Sequence, residues 1–153
     1  MMKKLLTFGL VLISSLTTSG VDASGVSLEV ESAYMRAPIP GMQNTSGYMV
    51  ITNPSRQDVT LVSATSEIAD KIEFHDHVMV NGVMRMTQLT SVAIKSGETL
   101  KFQSGGLHLM VFGLKQMADQ NKPIAVNFLT KAGQTINASF DIKSIHQEHQ
   151  HHH

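Results

Sequence analysis

Methionine and histidine are the residues of this sequence whose side chains point to a particular chemistry. The 153-residue chain has 10 methionines and 8 histidines but no cysteine. Thioether sulfur is a soft, neutral donor that suits Cu(I), and imidazole is a borderline donor that also suits copper. The lack of cysteine excludes disulfides, thiolate metal sites, iron–sulfur clusters and cysteine nucleophiles. The composition therefore indicates soft-metal chemistry without thiolates.

Four of these residues fall at a spacing that predicts a copper site: His75, Met86, His108 and Met110. At this composition, chance gives the same spacing on the order of once in a thousand such sequences. Taken singly, each residue has a structural alternative, because methionine fills gaps in cores and a histidine on an apolar face is usually just hydrogen-bonded. Taken together, two imidazoles and two thioethers predict a Cu(I) site. We expect it near the surface, because neutral ligands leave the ion its charge.

A β-hairpin must position two of these ligands. Asn81-Gly82 favours a type I′ turn, because both residues tolerate positive φ. The predicted register has three cross-strand pairs, which are Val80 with Val83, Met79 with Met84, and His77 with Met86. Alternation along the strands then gives one face of the hairpin five side chains, namely His75, His77, Met79, Met84 and Met86.

The other two ligands lie on a later strand. His108 and Met110 stand at i and i+2, so their side chains leave the same face of that strand. We expect the strand to fold over the hairpin and bring the four ligands together. On the hairpin face, His77 and Met84 are candidates for secondary ligands, whereas Asp76 points the opposite way.

The C-terminal segment, residues 146–153, is a second candidate metal binder. It is a polar, low-complexity stretch that we expect to be disordered. Five of its residues are histidines, namely His146, His149, His151, His152 and His153. Imidazoles without thioethers prefer Cu(II), Ni(II) or Zn(II) over Cu(I). The segment is interpreted as a native Cu(II) collector, with a purification-tag remnant as the alternative.

The N-terminus has the three-part pattern of a secretory signal peptide. Lys3 and Lys4 precede an apolar run over Leu5–Leu16, and small residues end at Ala23. The run is too short to span a bilayer, although a retained anchor is the alternative. We predict a signal peptide over residues 1–23, a mature chain from Ser24, export to the periplasm and no membrane span after cleavage.

The mature chain reads as one all-β domain over residues 24–145. Short alternating or β-branched runs are separated by turns rich in glycine, proline and asparagine, which is typical of a sandwich or small barrel. One segment, Leu114–Gln120, favours a helical turn. The predicted strands are Val26–Glu31, Gly47–Thr52, Val59–Ala64, Lys71–Val80, Val83–Leu89, Thr99–Phe102, Leu107–Phe112, Ile124–Leu129 and Thr135–Ile142.

The ligand pattern resembles the signature of the PCuAC family of periplasmic copper chaperones, H(M)-x10-M-x21-H-x-M. All four positions match, from EFHDHVMVNGVMRM, which holds His75 and Met86, to GGLHLMVFGL, which holds His108 and Met110. The resemblance implies a cupredoxin-like Greek-key β-barrel that binds one Cu(I). It also implies copper supply to subunit II of cytochrome c oxidase, directly or with a Sco-type protein.

Other classes of function fit the sequence less well. Lys+Arg 12 balances Asp+Glu 12, so no basic surplus indicates nucleic-acid binding. An electron-transfer cupredoxin needs a cysteine thiolate, and a copper monooxygenase of the N-terminal-histidine kind needs histidine where Ser24 stands. No catalytic spacing indicates an enzyme. We predict a monomeric, non-enzymatic copper chaperone. The alternatives are a copper-sequestering or resistance protein without a delivery role and an adhesion or subunit module.

Overall fold

The computed structural model describes residues 27–115 and 122–144. Within these ranges the chain forms ten β-strands and no helix, which confirms the all-β class; accordingly, no described helix could span a membrane. The strands are β1 (Glu29–Arg36), β2 (Thr45–Thr52), β3 (Val59–Thr65), β4 (Lys71–Val80), β5 (Val83–Leu89), β6 (Val92–Ile94), β7 (Thr99–Phe102), β8 (His108–Phe112), β9 (Ile124–Thr130) and β10 (Thr135–Lys143).

The observed strands follow the predicted ones closely, and β4, β5 and β7 have the predicted bounds. The sequence misses β6, because three residues are too few to show alternation. The largest shift is in β1, predicted over Val26–Glu31 and observed further along the chain. There Ser32 has a φ of 51°, and the register with β2 shifts between Glu31 and Tyr34. This β-bulge interrupts the alternation from which the strand was predicted.

Seven strands close into a barrel. The hydrogen-bonded order is β4-β8-β2-β1-β10-β9-β3, and β3 returns to β4 through the pair Ala64 and Ile72. The other three strands extend this ring, because β5 pairs with β4, β6 with β3, and β7 with β2. β4 therefore belongs to the barrel wall and also to the hairpin that projects from it.

Apolar side chains that alternate along the strands fill the barrel interior. In β9 every second residue from Ile124 to Thr130 is buried. The Phe74 ring lies 6.4 Å from the rings of both Phe102 and Phe128, measured between centroids. Because Phe74 points inward from β4, positions 73, 75 and 77 lie on the outer face of the sheet.

The hairpin forms as predicted. Asn81 and Gly82 have φ values of 50° and 76°, the positive angles that a type I′ turn requires. The observed register has Val80 opposite Val83, Met79 opposite Met84, and His77 opposite Met86. β5 ends the strand order, and its residues from Val83 to Gln88 are exposed. The predicted face of histidines and methionines is therefore present.

The predicted placement of the His108 strand is wrong in one respect. β8 does not fold over the hairpin but pairs beside β4 in the same sheet, with His75 opposite His108 and Glu73 opposite Met110. Edge-to-edge pairing gives β8 and β4 a shared ladder of hydrogen bonds, which stacking of one strand on the other would not provide. The ligands approach one another across the sheet.

Three sequence predictions lie wholly or mainly outside the described residues. These are the signal peptide over residues 1–23, the histidine-rich segment 146–153, and the helical turn over Leu114–Gln120, of which only Leu114 and Lys115 are described.

Candidate metal centre

The four predicted ligands lie on three adjacent strands, with β4 between β5 and β8. His75 lies directly opposite His108, and their ring centroids are 5.9 Å apart. Met110 is the next outward-facing residue of β8, and Met86 reaches the same face from β5 opposite His77. Residues paired across strands share a face, so all four side chains leave the sheet on one side.

His108 is a buried imidazole with one nitrogen already occupied. Its side chain lies on the outer face, yet the residue is only 3 % exposed. Nδ1–H donates to the Gly106 carbonyl at 2.7 Å, which leaves the lone pair of the neutral ring on Nε2. Burial lowers the pKa of His108, and the neighbouring His77 and His75 lower it further against the opposing Gly106 hydrogen bond. Proton loss, which metal binding requires, is therefore favoured at this ring.

His75 has the complementary arrangement. Its Nε2 lies 2.8 Å from Glu73 Oε2, while its Nδ1 is buried without a hydrogen-bond partner. The hydrogen bond from the Lys71 ammonium, followed by that from His75, holds the pKa of Glu73 below its usual value, so Glu73 is a carboxylate that accepts Nε2–H. A buried polar atom left unpaired costs about 1–3 kcal/mol. A metal ion at Nδ1 would remove that cost, and a carboxylate on the other nitrogen is the usual support of a metal-binding histidine.

The two thioethers differ in how they are held. Met110 is half-buried, and its Sδ accepts a hydrogen bond from Ser46 Oγ at 3.6 Å. Met86 is 50 % exposed on the edge strand. Sulfur is a weak acceptor, so the Ser46 contact orients Met110 without neutralising its lone pairs. One sulfur is thus placed beforehand, and the other is free to move.

The two secondary candidates lie at different distances from this centre. The His77 ring stacks on His108 with centroids 5.1 Å apart, closer than the ring of His75, and its Nδ1 lies 3.4 Å from the Gly106 oxygen. Met84 lies two cross-strand pairs further toward the turn, opposite Met79. Over residues 27–115 and 122–144, no three histidine, aspartate or glutamate side chains form a metal-binding cluster.

Sequence reasoning missed three supporting residues: Glu73, Ser46 and Gly106. Glu73 stands two residues before His75, so alternation alone predicts the shared face. Gly106 stands two residues before His108, but its carbonyl contact depends on the turn before β8. Ser46 pairs with Met110 across 64 residues of sequence, and no local signal predicts such a pairing.

The comparisons with known proteins agree with this architecture. The family described as "Putative lipoprotein LpqE-like" matches residues 28–142. A relative from Leifsonia xyli subsp. xyli, "Putative lipoprotein Lxx21020", is 30% identical over 131 residues, which are 85% of this chain and 76% of the relative.

Solved structures share the fold. The copper-bound PCuAC domain from PmoF2 superposes with a TM-score of 0.65 at 14% identity, covering 78% of this chain and 96% of that domain. Cu(I)-bound DR1885 from Deinococcus radiodurans gives 0.59 at 26% identity, covering 82% of this chain and 83% of DR1885. The apo form of DR1885 gives a TM-score of 0.60 at 23% identity, covering 94% of this chain and 97% of DR1885. These matches confirm the predicted cupredoxin-like barrel, and with the family match they show that the chain belongs to the LpqE-like family of PCuAC proteins.

Proposed function

We propose that this chain carries one Cu(I) ion as cargo on His75, Met86, His108 and Met110 and delivers it to an acceptor protein. One observation carries the proposal: both predicted histidine ligands use one ring nitrogen as a donor to an oxygen, and His75 keeps the other buried and unpartnered. This support on one nitrogen of each ring, with the ring centroids 5.9 Å apart, favours a metal ion bound between them.

The donor set favours Cu(I) over the common divalent ions. Thioether sulfur binds soft monovalent copper well and binds Mg(II), Ca(II) or Zn(II) poorly. All four ligands are neutral, so the bound ion keeps its positive charge. The exposure of Met86 leaves that charge open to water on one side, which reduces the cost of binding it.

The difference between the three supported ligands and the exposed Met86 provides a route for copper transfer. The two imidazoles and Met110 are supported by Glu73, Gly106 and Ser46, whereas Met86 is exposed. A ligand from an acceptor can replace Met86 while the other three groups still hold the ion. Exchange of one ligand at a time avoids releasing free copper.

The proposed setting is the cell envelope. The family and the Leifsonia xyli relative are both named as lipoproteins, and two of the similar structures, the PmoF2 domain and DR1885, are copper-bound. With residues 1–23 as a signal peptide and 24–145 as the copper domain, we place the protein in the periplasm as a non-enzymatic monomer. The proposed acceptor is the copper site of cytochrome c oxidase subunit II, reached directly or through a Sco-type protein.

Anaerobic Cu(I) titration of the full chain against a competing chelator tests the binding. We expect tight binding of one ion, lost in His108→Ala and weakened in Met110→Leu. Met42→Leu is the matched control, because Met42 is 53 % exposed on the β1–β2 loop. Equal affinity in all variants would refute the site.

Delivery needs a separate measurement. The copper-loaded chain is mixed with the copper-free soluble domain of oxidase subunit II, with and without a Sco-type protein, and copper is followed on each partner. Transfer supports the chaperone. Retention of copper under both conditions would favour the alternative, a copper-sequestering protein.

A further inference from the structure

The exposed end of the β4–β5 hairpin carries three methionines on the face that holds the metal centre. Met79, Met84 and Met86 are 63 %, 54 % and 50 % exposed. A contiguous group of exposed apolar side chains on a soluble protein usually marks a binding function. Of these three, Met86 belongs to the proposed centre, Met84 is a secondary candidate only, and Met79 has no assigned role.

The register brings the three side chains into a compact triangle. Met79 lies opposite Met84, and Met86 follows Met84 by two positions on the same face of β5. Opposite Cβ atoms are about 4.5–5.5 Å apart and diagonal ones about 7–8 Å. Because each methionine has three rotatable bonds, the three sulfurs can meet at one point above the sheet.

Sulfur is confined to one face of the exposed hairpin end. Val80 and Val83 also lie at the tip, 39 % and 57 % exposed, but alternation places them on the opposite face. A surface selected only for apolar contact would not need different side chains on its two faces. The face shared with the centre therefore offers soft donors, and the other face offers aliphatic groups.

We propose that Met79, Met84 and Met86 form a second Cu(I) position, outside the His75–His108 pair, that shares Met86 with the inner centre. Three neutral thioethers select a soft monovalent ion, and exposure keeps the ion partly hydrated. Without imidazoles or supporting hydrogen bonds among its ligands, this outer position binds more weakly and exchanges faster than the inner one. Its existence does not depend on delivery, although a role as the point where copper enters or leaves rests on the proposed function.

Nuclear magnetic resonance of methionine methyl groups in the full chain tests the outer position during anaerobic Cu(I) titration. The first equivalent should shift the Met86 and Met110 signals. Further copper should shift the Met79 and Met84 signals and move Met86 again. In the double variant Met79→Leu/Met84→Leu, the response of Met86 to this further copper should disappear, while Met42→Leu behaves like the parent.

The variants separate this proposal from the inner site. In His108→Ala, the Met79 and Met84 signals should still respond to Cu(I), so loss of the inner centre would not mask the outer one. The C-terminal histidines are present in every variant, so differences between variants report on the hairpin. The proposal is overturned if the Met79 and Met84 signals stay unmoved after the inner centre has filled, or if the double variant keeps the further response of Met86.

Discussion

The β4–β8 pair and the free end of the β4–β5 hairpin carry similar donors in opposite settings. Between β4 and β8, His75 and His108 are largely buried and hydrogen-bonded to Glu73 and Gly106. At the hairpin end, the methionines are at least half exposed, and none of their sulfurs accepts a hydrogen bond from the residues that the structure describes. Preorganised ligands increase affinity because little side-chain entropy is lost on binding, whereas mobile ligands favour exchange. One strand, β4, thus belongs both to the region with buried, hydrogen-bonded donors and to the region with exposed ones.

Removing both imidazoles should have the largest effect on Cu(I) binding. In His75→Ala/His108→Ala, Cu(I) affinity should fall by more than about a hundredfold, because the loss of two ligands exceeds the 10–100-fold typical of supporting groups. Competition with a chelator measures the affinity, and circular dichroism checks that the barrel persists. Unchanged affinity would indicate that the metal face is incidental and would favour an adhesion or subunit module.

Replacing each thioether in turn should distinguish the hydrogen-bonded Met110 from the exposed Met86. Leucine is close to methionine in volume, so Met110→Leu and Met86→Leu should each cost under about 1.5 kcal/mol of stability. We expect Met110→Leu to lower Cu(I) affinity more than Met86→Leu does, because Ser46 orients the Met110 sulfur, whereas Met86 is exposed. Sulfur X-ray absorption counts the ligands that remain. Native affinity in both variants would mean that the thioethers only fill space.

Glu73 should matter only through His75. Glu73→Gln keeps the size but weakens the hold on His75 Nε2–H, so Cu(I) affinity should fall about tenfold, at the lower end of the range for supporting groups. The exposed Glu67→Gln serves as the control. The chelator assay and the Cu(I)–nitrogen distance from X-ray absorption check the effect. Equal behaviour of the two variants would separate Glu73 from metal binding.

Acid should release copper from the centre only gradually. Burial lowers the pKa of His108, so this ring stays neutral below pH 6.5, where a free imidazole takes up a proton. The thioethers do not titrate and should retain some Cu(I) near pH 4–5, where an all-histidine segment such as residues 146–153 should release its metal. Competitive binding between about pH 4 and 8, with and without that segment, makes the comparison. If both forms release their copper completely and equally, the site consists of histidines alone and the mixed histidine and methionine assignment is wrong.

The lowered pKa of His108 also affects the copper-free protein. Between the folded pKa and 6.5 the unfolded chain binds more protons at this residue, so the stability from keeping it neutral is complete above pH 6.5 and falls as pH decreases through that window. Denaturant unfolding between pH 7 and 5 measures the decrease. A His108→Gln variant should lose this part of the pH dependence, and the same slope in both proteins would assign it to other groups.

Deleting His146–His153 should have the smallest effect on the centre. Cu(I) affinity should be unchanged, while most Cu(II) binding is lost, because imidazoles without thioethers favour the divalent ion. Parallel titrations with Cu(I) and Cu(II) test both statements. If the shortened chain loses its tight Cu(I), the site has been assigned to the wrong part of the protein.

The sequence predicts the hairpin well and the neighbouring strand less well, for a physical reason. The turn at Asn81-Gly82 and the alternation along β4 and β5 are local, so backbone preferences determine the pairing and the face. The position of β8 depends on pairing with β4 and β2, which are distant in sequence. The shared face of the hairpin was therefore predictable, whereas the contacts of His108 with Gly106 and of Met110 with Ser46 were not.

The pair His75 and His108 is the last one recorded between β4 and β8, and beyond it β4 continues only with β5. The ion would thus sit at the fork where a three-stranded sheet becomes a two-stranded ribbon. Metal–ligand bonds that link β4 to β8 at this point would oppose movement of the β4–β5 ribbon away from the barrel wall. The β4–β5 ribbon of the copper-bound protein should therefore be stiffer than that of the copper-free protein. A protein that docks on the ribbon would bind the two forms with different affinity before any ligand is exchanged.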